Sequence, residues 1–176
     1  MPITNTSDLM LDFLDIHEMQ NFCSLNKNNY HLCKNNMSYI SAHFLKIYQV
    51  DYKDPSNFIY VMNNKDIQDY KSDKSWNYPS IFKLYMKYYY TTKIICNDKK
   101  MTTFPIYPNM ETFEGNHNQL TSFSIQPNMK YFLGRKNQLT SFPIQPNMLH
   151  FSGEHNRLTN FPIQPNMLNF HGDNNQ

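Results

Sequence analysis

The chain has 176 residues, a formal net charge of +2 and 17% charged residues, room for one moderate domain or for a small helical domain joined to a short repeat array. Its Lys and Arg are dispersed, which argues against a nucleic-acid or membrane-surface partner, and no stretch approaches the roughly 18 uninterrupted apolar residues of a membrane span. The opening segment MPITNTSDLMLDF lacks a basic region followed by a long apolar run, so it does not read as a secretory signal. Cys23, Cys33 and Cys96 are odd in number and show no metal-like pairing, which points to reduced thiols in an intracellular setting. Ala42 is the only alanine beside abundant Asn, Lys, Ile, Tyr and Phe. That bias reflects A/T-rich codons rather than a disordered Asn tract.

Residues 1–90 read as a helical head. Asp15 and Glu18 have capping-box spacing, with Asp15 as N-cap and Glu18 reaching back to the free amides. Ile16, Met19, Phe22 and Cys23 then recur at helical spacing. Residues 26–29 are polar and turn-prone, and a short helix over 30–33 follows. Ser38 suits the cap of a helix whose apolar side holds Ile40, Phe44, Ile47 and Tyr48. The Asp54-Pro55 pair breaks the chain, a helix is expected near residues 58–62, and Pro79 suits the first position of another over 81–89.

Residues 91–176 are a repeat array. All four glycines, Gly115, Gly134, Gly153 and Gly172, are 19 residues apart, and the units read MTTFPIYPNMETFEGNHNQ, LTSFSIQPNMKYFLGRKNQ, LTSFPIQPNMLHFSGEHNR and LTNFPIQPNMLNFHGDNNQ. A short fixed period is the mark of a solenoid, whose units bury their apolar sides only against their neighbours. Alternation along a strand directs Phe113, Phe132, Phe151 and Phe170 inward. The glycine two residues later either leaves space for the phenyl ring or supplies a bulge or positive φ. Asn118, Asn137, Asn156 and Asn175 are expected to form a ladder onto backbone groups of adjoining coils, and Pro108, Pro127, Pro146 and Pro165 to keep the other side extended.

Aligned, the units give Met110-x-x-Phe113-x-Gly115-x-x-Asn118-x-Leu120-x-x-Phe123, which resembles the leucine-rich-repeat frame with Met and Phe in place of Leu. Ile94-x-Cys96-x-x-Lys99-x-Met101-x-x-Phe104 fits the same frame as a degenerate first unit. The Leu-Thr-x-Phe-Pro and Pro-Asn-Met segments look most like the short bacterial-effector type. The resemblance implies an α+β chain, with a small helical domain followed by a leucine-rich-repeat solenoid of parallel strands and an extended convex side. Such families act by binding proteins.

Variation among the units concentrates in three rows that alternate with the core. They are Thr112, Tyr131, His150 and Asn169; Glu114, Leu133, Ser152 and His171; and Asn116, Arg135, Glu154 and Asp173. In register, members of a row would lie about 4.8 Å apart on the concave face. The reading is a target-binding surface, set against neutral drift at solvated positions.

Within the head, Phe13-Leu14-Asp15, Met19, Phe22, Ser24-Leu25-Asn26-Lys27, Tyr30 and Leu32-Cys33 resemble the core of an F-box, without its usual Leu-Pro opening. That resemblance implies that Leu9, Leu11, Leu14, Ile16 and Met19 face a Skp-type adaptor of a cullin–RING ubiquitin ligase while the repeats hold a protein target. Similar head-plus-repeat chains look typical of large DNA viruses, which implies the host cytoplasm. The alternative is a head that only seals the first repeat. Catalysis is not expected, since Cys23 and Cys33 fit buried helix positions. No cofactor or metal is expected either, His117 and His155 being two units apart.

Overall fold

The structure, a computed structural model, describes residues 16–35, 58, 60–62, 65, 68, 84, 85 and 87–176. The chain divides into two compact units, Met1–Met86 and Lys87–Gln176.

In the first unit, helices α1 (Ile16–Ser24) and α2 (Lys27–Asn35) are separated by two residues. The Asn26 side-chain oxygen accepts the Asn29 amide at 2.9 Å, an N-cap that starts α2 three residues before the expected helix. Asn29 in turn donates its side-chain amide to the Phe22 carbonyl at 3.0 Å, satisfying the end of α1. The hairpin brings the Cα atoms of Cys23 and Cys33 to 5.9 Å and the two are joined in a disulfide. This corrects the expectation of reduced thiols. Both cysteines are buried. Near residue 58 the chain forms a turn, with the Phe58 carbonyl accepting the Val61 and Met62 amides at 2.9 Å each. Phe58 is buried against Tyr85, ring centres 5.5 Å apart. The expected Asp15 cap, the helix after Ser38 and the Pro79 start lie outside the described residues. Those described show two short helices and scattered helical residues, not a helical domain.

The second unit is a solenoid of about four turns. Strands β1 (Lys93–Ile95), β2 (Thr112–Glu114), β3 (Tyr131–Leu133), β4 (His150–Ser152) and β5 (Asn169–His171) form one parallel sheet in sequence order. Each strand pairs with the next at a register of 19 residues, Lys93 opposite Thr112 and so on to Ser152 opposite His171. Inside, Phe113, Phe132, Phe151 and Phe170 stack with centres 5.2–5.5 Å apart. A second stack of Phe104, Phe123, Phe142 and Phe161 runs beside it at 5.5–5.8 Å. Tilted and edge-on contacts such as Phe132–Phe142 at 4.7 Å lock the two together, the preferred geometry for aromatic pairs. Met110, Met129, Met148, Leu120 and Leu139 complete the core. Phe170, expected inward with the others, is 48% exposed because only its Phe151 side is covered by a stacked coil.

The glycines serve the rings. A Cβ on Gly134 would lie 2.3 Å from Cζ of Phe132, with 2.2–2.3 Å in the other three units. No glycine has positive φ, so the ring-clearance reading holds and the backbone reading falls. The first unit makes the same point in reverse: Ile94 replaces the phenyl, and Cys96 takes the glycine position. Positive φ is found instead at the second residue after each of these positions, in Asp98, His117, Lys136, His155 and Asn174, at 53–57°.

On the opposite side each coil turns at its Pro-Asn pair, where Met129 bonds back to the Gln126 carbonyl at 3.3 Å and its equivalents do the same. Proline at the second position of such a turn has its φ preset. No helix forms there. At the amino-terminal end, helical residues 87–90 close the array. Tyr88 is buried, donates its hydroxyl to the Ile106 carbonyl and packs on Tyr107 at 4.7 Å.

Candidate functional site

Two polar ladders hold the coils in register and thereby position everything on the outside. In the expected one, the Asn137 side-chain amide donates to the carbonyls of Gly115 (2.9 Å) and Gly134 (3.1 Å), and its oxygen accepts the Leu120 amide at 3.0 Å. Asn118 and Asn156 repeat the pattern, both buried. Asn175 does so in a half-buried setting.

The second ladder escaped the sequence reading. Gln126, Gln145 and Gln164 are buried, and each accepts the amide of the residue 19 earlier at 2.7–2.8 Å. Each also donates to the carbonyl 21 residues earlier. The signal was present in the recurring Gln-Pro-Asn-Met, but a glutamine beside proline resembles a solvated turn residue. Tyr107 occupies the glutamine position in the first full unit and packs against the end cap instead.

The outer face of the sheet follows from this register. Thr112, Tyr131, His150 and Asn169 are successive strand partners, as are Glu114, Leu133, Ser152 and His171. Both rows begin one coil earlier than expected, with Lys93 and the exposed Ile95. Tyr131 is 43% exposed, Asn169, His171 and Asp173 are exposed, and Thr112, Glu114, Leu133, His150 and Glu154 are half-buried.

One residue of the rows is not exposed. Ser152 is buried, its hydroxyl turned onto Glu154 Oε2 at 2.7 Å. Asn116 is also engaged, accepting the Arg135 amide at 2.9 Å just as Asn97 accepts the Asn116 amide at 2.7 Å. Arg135 Nε stands 3.5 Å from Glu154 Oε1. Burial disfavours charge on Glu154, yet the Ser152 hydroxyl, its own backbone amide, Arg135 and His171 together hold the carboxyl below the ordinary carboxylate range. His150 and His171, diagonal neighbours on β4 and β5, have ring centres 5.4 Å apart.

Beside these rows a polar cleft of about 440 Å³ is lined by Asn97, Asp98, Asn116, His117, Arg135 and Lys136. The free cysteine, Cys96, is buried, which pushes its thiol up to about 12, Glu114 adding to the rise and Lys99 opposing it. A neutral, enclosed thiol is a poor nucleophile. Among the described residues no group of three or more His, Cys, Asp or Glu is placed to hold a metal ion, and no helix is long and apolar enough to cross a membrane. Of the residues that the F-box resemblance would turn toward an adaptor, Leu9, Leu11 and Leu14 lie outside the described residues, while Ile16 and Met19 belong to α1.

No protein family, curated protein or solved structure matches this chain.

Proposed function

We propose that the solenoid is a non-enzymatic protein-binding module of leucine-rich-repeat type, whose outer strand face holds a protein target. One observation carries the reading: in-register rows differ from coil to coil beside positions that keep the same residue. Phe, Gly, Asn and Gln recur because stacking and ladders require them and Pro because the turns do, whereas the rows place Tyr131 and Leu133 on β3, His150 on β4 and Arg135 two residues beyond β3. Tyrosine and arginine are frequent anchors of protein interfaces. Proximity labelling with the full chain in expressing cells tests it. A set of labelled proteins lost in the Tyr131→Ala, Arg135→Ala variant supports the reading, and an unchanged set removes this face from the function.

A second reading adds a Skp-type adaptor of a cullin–RING ubiquitin ligase. It is favoured by α1, which ends just before Leu25 and Asn26, where the F-box resemblance has an apolar helix ending in a Leu-Asn-Lys turn. No chemistry would occur on this chain, which would raise the target's effective concentration near the ligase. A viral, host-cytoplasmic setting belongs to this reading. The Cys23–Cys33 disulfide counts against it, since stable disulfides are rare in reducing compartments. Adaptor pull-down with the full chain decides: capture supports the ligase role, and no capture leaves the binding module alone.

A further inference from the structure

The geometry points to a two-histidine site for a late first-row transition metal ion on the outer strand face, formed by His150 and His171. The two side chains come from adjacent strands, two residues out of step, because His150 pairs with Asn169 and Ser152 with His171. Their ring centres are 5.4 Å apart with an interplanar angle of 50°. Two imidazoles bound to one tetrahedral ion through nitrogen–metal bonds of about 2.0–2.1 Å would place their ring centres roughly 5–5.5 Å apart. The observed spacing falls within that range.

Neighbouring charge favours the same occupant. Glu154 has its carboxylate fixed by the Ser152 hydroxyl at 2.7 Å, and Ser152 is the strand partner of His171. A fixed carboxylate beside the pair offsets part of the charge of a divalent cation. His171 is exposed and His150 half-buried, which leaves an approach from solvent. Two protein ligands leave the remaining coordination positions to water, so the site is open. Imidazole ligands select Cu²⁺, Ni²⁺ and Zn²⁺, with Cu²⁺ tightest and Mg²⁺ excluded. This inference stands apart from target binding, because the ligands are both on this chain.

The test is titration of the full chain with Zn²⁺ and with Cu²⁺, read by calorimetry and by imidazole NMR signals. One equivalent is expected to bind, moving the His150 and His171 resonances. His150→Gln and His171→Gln should each weaken it at least about tenfold, the scale at which even indirect supports of a metal ligand act. His117→Gln and His155→Gln should leave the affinity unchanged. Unchanged circular dichroism of the variants excludes loss of fold as the cause. Absence of binding to the parent chain, or undiminished binding by the doubly substituted variant, overturns the site.

Discussion

At the scale of single residues, the fold depends on a fit between one ring and one missing methyl. A Cβ on Gly134 would sit 2.3 Å from Phe132 Cζ, and that ring is held by stacked rings at 5.4 and 5.2 Å. It has nowhere to retreat. Gly134→Ala should therefore destabilise the solenoid by about 1–3 kcal/mol, the usual cost of overfilling a core. In a Phe132→Ile background, which copies the Ile94 and Cys96 combination, the same change should cost much less. A double-mutant cycle of denaturant midpoints measures the coupling, and additive costs would contradict the fit. Glu154 makes a second residue-level case. Its carboxyl is depressed in the folded chain, so its stabilisation is full above the unfolded pKa and is lost as pH falls through the lower folded value. Glu154→Gln should cost about 1 kcal/mol near neutrality and almost nothing in strong acid. Melting of both proteins across that range checks the sign.

Between elements, side chains replace the backbone pairing that is missing where the sheet ends. The strands are three residues long, so most of each coil lies beyond the reach of strand ladders. The asparagine row was legible in advance because it sits at a fixed place in a recurring frame. The glutamine row was not, because burial on the turn side cannot be read from a polar residue flanked by proline. The disulfide was hidden for a related reason: Cys23 and Cys33 meet only through the hairpin that the Asn26 cap starts early. Asn137→Ala would orphan the Leu120 amide and leave the Gly115 carbonyl with the Asn118 side-chain amide alone, while Gln145→Ala would orphan the Gln126 amide and the Ser124 carbonyl. Each orphaned group costs about 1–3 kcal/mol. Amide exchange should therefore speed up at Leu120 in the first variant and at Gln126 in the second. Unaltered protection at either amide would mean that water readily replaces the ladder.

For the whole molecule, stability is close to a sum over neighbouring coils, so position along the array matters. One end is covered by Tyr88 on Tyr107. In the last coil Phe170, Ile163 and Leu168 are exposed. Gly134 donates its amide to the Ser152 carbonyl at 2.8 Å, whereas no coil among the described residues stands beyond Gly172. Exchange protection should fall along Gly134, Gly153 and Gly172, and equal protection would show that the array opens as one unit. The period, the inward phenyls and the row membership were all readable from spacing alone, since a solenoid repeats its environment with its sequence. What spacing could not reveal was which outer side chains spend their polar groups on the scaffold, as Ser152 and Asn116 do. Because the closing bonds between coils keep one 19-residue register, an internal unit is exchangeable as a whole. Excising residues 131–149 would join Lys130 to His150 and leave every ladder rung with a partner. Recombination within such a gene can thus lengthen, shorten or reshuffle the outward lettering in whole-unit steps that keep the ladders in register.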